Sequence, residues 1–284
     1  MASVVALLTD FGTRDGYVAA MKGVILGIAP GLPLVDITHE VTPQDVYGGA
    51  FLLGTVVDAF GPDTVFLCVV DPGVGADRSP VAIRTPHGTF VGPDNGLFSY
   101  ALAAYHPAFD ATARPTVPPA VTAVATPSGI TARRIANERL LRQPVSATFH
   151  GRDIFAPVAA HLAAGRPLAG VGPQVRWLRL FQPPAPLQGR EGALLGRVVH
   201  VDAYGNLITN LRAAGFPPAF HLTIGGRTIQ RLSQAYDYGD ALLAISGSSG
   251  FVEIAAKGGS AAQRLGVGRW APVLVRPAPV LPPA

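Results

Sequence analysis

The chain has 284 residues, of which 49% are hydrophobic and only 14% charged, a composition typical of a globular protein with a sizeable core and two domains. The net charge is +4, but the arginines are dispersed and lack interleaved aromatic residues, so we expect no nucleic-acid partner. The first apolar run, residues 4–8, is too short to cross a bilayer and has no basic segment before it, so we expect no signal peptide, no membrane partner and a cytoplasmic location.

Short apolar runs alternate with stretches of helical length in the first half of the chain. Residues 17–28 and 44–60 are predicted helices, and Asp15 or Gly16 is positioned to cap the first of them. The predicted strands are residues 4–8, 34–37, 65–70, 81–84 and 89–91, and a turn at 92–96 leads into a predicted helix over 97–105. This spacing predicts an α/β N-terminal domain with a central, mostly parallel sheet.

Proline-rich segments organise the second half of the chain. Residues 113–129 are predicted to form an irregular connection, and residues 155–164 a helix. Strand-length runs at 194–201, 207–210, 220–224, 242–246 and 251–255 predict a smaller all-β, barrel-like C-terminal domain, with a sandwich as the alternative. The predicted organisation is therefore an α/β domain over 1–181, a proline-rich linker over 182–190, the β domain over 191–276 and a disordered tail over 277–284.

Four short motifs place acidic or histidine side chains beside predicted strands. They are Asp10 in Thr-Asp-Phe-Gly, Asp71 in Asp-Pro-Gly-Val-Gly with Arg78 just beyond, His150 in Phe-His-Gly-Arg-Asp, and Asp202 in Asp-Ala-Tyr-Gly-Asn. Because ligands collect at the carboxyl ends of strands in α/β sheets, we expect the carboxylates of the first domain, including Asp15, to share one cleft. Such a cluster needs a cation, which is a metal, an arginine or a positively charged substrate.

Several alternative interpretations stay open at this point. A metal site is disfavoured because no compact ligand motif is present, although ligands scattered along the chain are not excluded. The kinase-like pair Asp-Phe-Gly and His-Gly-Arg-Asp occurs in the reverse of the kinase order. Asp10 and Asp15 are also suited to helix caps, His150 to a structural role, and Asp202 with Asn206 to building a turn.

Three segments carry a resemblance to a known family. They are Asp71-Pro-Gly-Val-Gly with Arg78, residues 148–157 and residues 248–255. In these segments the chain resembles the S-adenosyl-L-methionine (SAM) hydrolases, or SAM hydroxide adenosyltransferases, which are relatives of fluorinase and chlorinase. The resemblance implies SAM as substrate, no cofactor, and a homotrimer, or two associated trimers, that binds SAM between the first domain of one subunit and the second domain of its neighbour.

The resemblance also implies roles for individual residues. The triad that activates water falls on Asp71, Arg78 and His150, and the halogenating relatives carry tyrosine at the positions of Asp71 and His150. The implied substrate-binding residues are Asp10 for the ribose diol, Asp15 and Asp202 for the ammonium group, Ser248 for the carboxylate, Asn206 for the adenine edge and Tyr236 for the adenine face. The expected reaction is attack of water on the ribose C5′, which yields adenosine and L-methionine; the alternatives are a halogenase-like enzyme and a non-catalytic module that binds SAM or adenosine.

Overall fold

The computed structural model describes residues 3–105, 116–236 and 242–278, and it divides the chain into two compact units. The first unit is Met1–Asp110 with Ala120–Pro183, and the second is Ala111–Pro119 with Pro184–Ala284. Within the described ranges, no helix combines the length and the apolar character that a membrane span requires.

The first unit mixes α-helices and β-strands. Its elements are β1 (Val5–Thr9), α1 (Tyr17–Ile28), β2 (Leu34–Thr38), α2 (Val46–Val56), β3 (Val65–Val69), β4 (Pro80–Thr85), β5 (Gly88–Pro93), β6 (Thr122–Ala125), β7 (Thr131–Arg134), α3 (Ala156–Ala163) and β8 (Trp177–Leu180). The main sheet has the order β2-β1-β3-β5-β4-β7. The pairs β1–β2, β1–β3 and β3–β5 are parallel, whereas β4 runs antiparallel to both β5 and β7.

The sheet is covered on both faces, which explains the uninterrupted apolar runs of its strands. Leu7 of β1 packs in one core cluster with Met21 of α1 and Val158 of α3, while the next residue, Leu8, packs on the opposite face with Leu53 of α2. The single cysteine, Cys68 of β3, belongs to this second cluster and is fully buried. The two helical layers hold the carboxyl ends of β1 and β3 side by side.

Two sequence predictions for the first unit were wrong. The helix predicted over 97–105 is a series of turns that ends in one short 3₁₀ segment, Ala103–Tyr105. Both the N–H and the hydroxyl of Ser99 donate to the Gly96 carbonyl, at 3.0 and 2.6 Å, and this local bonding competes with helix formation. Part of the segment predicted as irregular forms β6, which pairs with β8, and residues 113–115 of that segment lie outside the described residues.

The second unit is built mainly of β-strands. Its elements are β9 (Leu187–Gln188), β10 (Leu194–Val201), β11 (Leu207–Thr209), β12 (Phe220–Ile224), β13 (Arg227–Ile229), β14 (Leu232–Ser233), β15 (Leu242–Ser246), β16 (Val252–Ala256), α4 (Ala261–Leu265) and β17 (Pro272–Pro277). One sheet has the order β13-β12-β17-β10-β11-β16-β15-β14, and β9, inside the segment predicted as a linker, pairs with β10. Residues 279–284 of the predicted disordered tail lie outside the described residues.

The buried carboxylate of Asp94, in the first unit, is expected to make the stability of the protein depend on pH. Asp94 is 6% exposed and accepts one hydrogen bond, from the Arg179 backbone N–H at 2.8 Å. Burial raises the pKa of Asp94 from 3.8 to about 6. The native state therefore binds this proton more tightly than the unfolded chain does, so the group's contribution to stability is complete below about pH 4 and is lost as the pH rises through about 6.

We expect Asp94→Asn to raise the free energy of unfolding at pH 7.5 by about 1 to 3 kcal/mol, because asparagine keeps the acceptor oxygen without the charge. Urea denaturation at pH 7.5 and pH 4.5 measures the effect, which should shrink at the lower pH. A change of equal size at both pH values would show that the ionisation of Asp94 does not cause it.

Candidate active site

Two carboxylates lie at the same edge of the main sheet. Asp10 follows β1 directly and Asp71 follows β3 by one residue, and the parallel register pairs Thr9 with Val69. Both aspartates line a cavity of about 730 Å³ in the first unit. Burial raises the pKa of Asp10, an effect that the N–H of Gln44 opposes by donating to Oδ2 at 2.7 Å and that the nearby Asp71 charge increases. The two carboxylates that follow β1 and β3 thus make one side of the cavity acidic.

Arg78 joins Asp71 to His150. Its Nε donates to both Asp71 oxygens, at 3.0 and 2.8 Å, and its Nη2 lies 2.5 Å from Oδ2. The same Nη2 lies 2.6 Å from His150 Nδ1. The Asp71 and Arg78 side chains are 4% and 9% exposed, and the guanidinium lies over the Phe155 ring at 5.2 Å from its centroid. The Arg78 guanidinium therefore holds both Asp71 and His150, the other two members of the triad that the resemblance predicts.

The contact with Arg78 determines the protonation state of His150. A guanidinium has only donors, so Nδ1 of His150 must be the acceptor, and the neutral ring carries its proton on Nε2. Burial lowers the pKa of His150, and the positive charge of Arg78 lowers it further against the opposing charges of Asp71 and Asp153. At neutral pH the ring is an uncharged donor through Nε2, while Asp71 is the member of the triad with acceptor oxygens.

The backbone around His150 is held by a buried carboxylate. Asp153 is fully buried and accepts hydrogen bonds from Arg152 Nε at 2.7 Å, Arg142 Nη1 at 3.2 Å and the Ser146 N–H at 3.0 Å. Burial acts to raise the pKa of Asp153, but the hydrogen bonds from its partners outweigh burial and hold the pKa below its usual range. Residues Gly151–Phe155 form one π-helical turn between His150 and α3, a feature found often at functional sites.

A close backbone contact brings the Asp71 loop to the His150 segment. Gly75 has φ +79°, and a Cβ built there would lie 2.7 Å from the Ala147 carbonyl oxygen. Only glycine fits both the left-handed backbone and this approach. The last glycine of the Asp-Pro-Gly-Val-Gly motif is therefore needed for packing beside the site.

Three aromatic rings form one wall of the first cavity. Phe11, Tyr17 and Phe149 contact one another with ring centroids 5.2 to 5.9 Å apart, and two of the three contacts are edge-on. Asp15, in contrast, is exposed in the turn before α1 and is not among the residues that line this cavity. That Asp15 shares the cleft stays a prediction. Gly16 precedes the helix, and no side chain caps its first turn.

A second cavity, of about 560 Å³, lies in the second unit. Asn206 lines it together with two exposed tyrosines, Tyr236 and Tyr204, and with the small residues Ala255, Ala256, Gly258, Gly259 and Ser260. Asp202 holds the adjoining turn: its Oδ1 accepts the N–H groups of Tyr204 and Asn206 at 2.9 and 2.8 Å, and its Oδ2 accepts the Asn206 amide at 2.9 Å. Asp202 thus acts in the way that the turn-building alternative predicts.

Ser248 and Glu253 are two further polar residues of the second unit. Ser248 is exposed in the turn between β15 and β16 and does not line the second cavity. Glu253 of β16, to which we gave no role from the sequence, is 8% exposed and accepts the Tyr236 hydroxyl at 3.1 Å. Burial raises the pKa of Glu253, as does the nearby charge of Asp202. Within the described ranges, no three histidine, cysteine or acidic side chains are grouped so that they could hold a metal ion.

Family models match both units of the chain. The model for the SAM hydroxide adenosyltransferase N-terminal domain matches residues 5–172, and the model for the C-terminal domain of the same family matches residues 196–274. The chain belongs to the SAM hydroxide adenosyltransferase family. This confirms the resemblance seen in the three sequence segments.

Individual members and relatives of the SAM hydroxide adenosyltransferase family align over most of the chain. The (R)-S-adenosyl-L-methionine hydrolases of Salinispora tropica and Thermus thermophilus are 39% and 38% identical, over 93% and 95% of this chain and 94% and 98% of their own lengths. A fluorinase of an Actinoplanes species is 31% identical over 81% of this chain and 77% of its own length. An uncharacterized conserved protein from Thermotoga maritima has a crystal structure with a TM-score of 0.82 at 32% identity, covering 96% of this chain and 100% of that one.

Proposed function

We propose that the protein hydrolyses SAM to adenosine and L-methionine. The observation that carries the proposal is the hydrogen-bonded unit Asp71–Arg78–His150, of which Asp71 and His150 line the cavity of the first unit. The full-length similarity to proteins named (R)-S-adenosyl-L-methionine hydrolase supports it. A module that only binds SAM has no need of such a unit.

The hydrogen bonds of the triad support a separate proposed task for each member. A water molecule between Asp71 and His150 donates a hydrogen bond to Asp71 and accepts one from His150 Nε2, so one lone pair is directed at the ribose C5′. The new C5′–O bond forms as the C5′–S bond breaks, and the bonding electrons go to sulfur, which becomes the neutral thioether of methionine. The proton passes from the water to Asp71 and then to solvent. Positioning and general-base action are the main contributions of the site, because sulfonium is already a good leaving group.

The charges of the first cavity suit a cationic substrate. SAM carries a sulfonium and an ammonium group, and the carboxylates of Asp10 and Asp71 attract such cations in a partly dry site. We assign Asp10 to the ribose diol, with its orientation fixed by the Gln44 N–H. The rings of Phe11, Tyr17 and Phe149 exclude water from the side of the cavity that they form.

We assign the cavity of the second unit to adenine. Asn206 can read the edge of the base, and the rings of Tyr204 and Tyr236, which line the same cavity, can stack on its face. Asp202 and Asp15 are assigned to the ammonium group and Ser248 to the carboxylate, as the family resemblance implies. We also propose that the central sheet of the first domain is mostly parallel in character and that the second domain is barrel-like.

A homotrimer, or two associated trimers, is proposed as the working assembly. In it, SAM contacts the first unit of one subunit and the second unit of a neighbour. A cytoplasmic location, the absence of a resident cofactor and the absence of nucleic-acid or membrane partners remain predictions from the sequence.

The direct test is product analysis. Purified protein incubated with SAM should release adenosine and methionine in equal amounts, measured by chromatography, and the rate should be unchanged by EDTA because the triad supplies both the acceptor and the donor for water. Loss of activity in EDTA with recovery on adding a divalent ion would contradict the metal-free mechanism. A 5′-halo-adenosine formed faster than adenosine at moderate chloride or fluoride would instead identify a halogenase.

The pH dependence of kcat/KM tests the role of Arg78. Because burial and Arg78 lower the pKa of His150, the neutral ring persists in acid, and we expect the acidic limb of the profile to lie below pH 6.5. Arg78→Gln removes the cation beside the ring and should move that limb to higher pH. Circular dichroism over the same pH range separates titration from unfolding. An acidic limb above pH 6.5 in the parent, or one that Arg78→Gln leaves in place, would contradict this assignment.

A further inference from the structure

His39, for which the sequence predicted no role, is buried at the carboxyl end of β2. It is 4% exposed, and its Nδ1 lies 2.8 Å from the Oγ1 of Thr9, the last residue of β1. Its carbonyl oxygen accepts the Gly12 N–H at 2.7 Å. Asp10 and Phe11, which both line the first cavity, lie between the two residues that His39 contacts. One histidine thus holds both ends of a segment that contributes to this cavity.

A carboxylate and a lysine set the orientation of the His39 ring. His39 Nε2 lies 3.0 Å from Asp36 Oδ1, an electrostatic contact rather than an aligned hydrogen bond, and Lys22 Nζ donates to Asp36 Oδ2 at 2.6 Å. Burial acts to raise the pKa of Asp36, but the contacts with Lys22 and His39 outweigh burial and hold the pKa below its usual range. Because a carboxylate attracts an N–H and repels a lone pair, Nε2 carries the proton of the neutral ring, and Nδ1 accepts from the Thr9 hydroxyl. The Thr9 oxygen in turn accepts the Phe11 N–H at 3.3 Å, which connects the ring to the backbone of the cavity segment.

The order threonine, histidine, aspartate also occurs in groups that activate a nucleophile, but here it has a different role. Thr9 is fully buried and is not among the residues that line the first cavity, so its hydroxyl is not placed to attack a substrate. The network instead joins α1, β1 and the end of β2 next to the cavity. This placement suits a group that orients its neighbours.

We propose that His39 is a positioning residue that sets the orientation of the Asp10 carboxylate toward the ribose diol of SAM. The Gln44 N–H holds one oxygen of Asp10 at 2.7 Å, and His39 fixes the backbone on both sides of the same residue. An acceptor whose backbone and one oxygen are already held binds a diol with a smaller cost of ordering. The inference rests on the proposed SAM hydrolysis and on the assignment of Asp10 to the diol.

The first test is a double-mutant cycle with Thr9→Val, which removes the hydroxyl that links His39 to β1 and keeps the β-branched shape. We expect KM and the calorimetric Kd for SAM to rise by about 3- to 10-fold, the effect of one lost hydrogen bond, with kcat little changed because the network does not include the triad. In an Asp10→Asn background the same substitution should add no further loss, because the carboxylate that it orients is absent. Thr38→Val is the matched control: it removes a hydroxyl beside His39 that accepts the Glu40 N–H at 3.1 Å.

Two substitutions of His39 test the network from the other side. His39→Leu removes both ring nitrogens and should raise the Kd for SAM as Thr9→Val does. His39→Asn keeps an amide that can accept from the Thr9 hydroxyl, so it should bind SAM more tightly than His39→Leu. Melting curves by circular dichroism identify a variant that does not fold, and in that case the cycle of Thr9→Val with Asp10→Asn decides alone.

Other results would overturn the positioning role. Equal losses for Thr9→Val in the parent and in Asp10→Asn would show that the network supports the fold and does not act through Asp10. Kd values for Thr9→Val that match those of Thr38→Val would show that the link has no effect on binding. If the parent binds SAM without hydrolysing it, the proposed reaction fails, but the Kd values still decide the role of His39. If the parent does not bind SAM, both proposals fail.

Discussion

Asp71→Asn is expected to reduce the rate of SAM hydrolysis by about 10²- to 10⁴-fold, the range usual for loss of a general base. Asparagine keeps the shape of the side chain and one oxygen that can accept from Arg78, so the connection from Arg78 to His150 at 2.6 Å should survive. What is lost is the acceptor of the water proton. The affinity for SAM, measured by calorimetry, should change far less than kcat, measured by adenosine release.

The control for this substitution lies six residues further along the chain. Asp77 is exposed in the same loop, and Asp77→Asn makes the same chemical change without touching the triad. His150→Ala should also lower kcat, because it removes the donor that orients the water. Hydrolysis at the parent rate in both Asp71→Asn and His150→Ala would rule out the triad as the water-activating unit.

Mixing two inactive variants is expected to restore SAM hydrolysis. If each SAM site takes its first unit from one copy and its second unit from a neighbour, Asp71→Asn and Asp202→Ala inactivate different halves of a site. Mixed under conditions that allow subunits to exchange, two nearly inactive proteins should regain activity, because about a quarter of the sites in a random cyclic assembly contain two intact halves.

Light scattering of the parent and each variant alone provides the necessary controls. Both variants should have the mass of a trimer or of two trimers, since the hydrogen bonds that Asp202 makes within its own chain stay inside one local turn. A protein that is monomeric and fully active would exclude shared sites. Mixtures that exchange subunits but stay inactive would show that both halves come from the same copy.

The parallel core strands could be predicted from the sequence because both faces of each strand are buried. Residues 4–8 and 65–70 have no polar position to interrupt them, and the structure confirms them as β1 and β3. The segment 97–105 was harder to predict. Its apolar residues have helical spacing, but the hydrogen bonds of Ser99 to Gly96 overrule that pattern, and such local competition is not visible in hydrophobic periodicity.

Some features of the site could be predicted from the sequence and others could not. Asp10 and Asp71 were predicted to share a cleft because each follows a strand, and the cavity contains both. The place of Asp15 in the same cleft stays a prediction, because a position near a helix start does not determine where a side chain in a turn points. The hydrogen bond from the Gln44 N–H to Asp10 was not predicted: Gln44 has a positive φ of +66°, and no sequence signal indicates that conformation.

The burial of Cys68 has a practical consequence for studying the assembly. Burial raises the pKa of this thiol far above its usual range, and thiolate is the form that reacts with alkylating dyes. The native protein should therefore not react with maleimide reagents. A cysteine introduced on an exposed surface away from both cavities, such as at Asp58, whose side chain is 92% exposed, becomes the single labelled position. Energy transfer between donor- and acceptor-labelled copies can then measure the rate of subunit exchange.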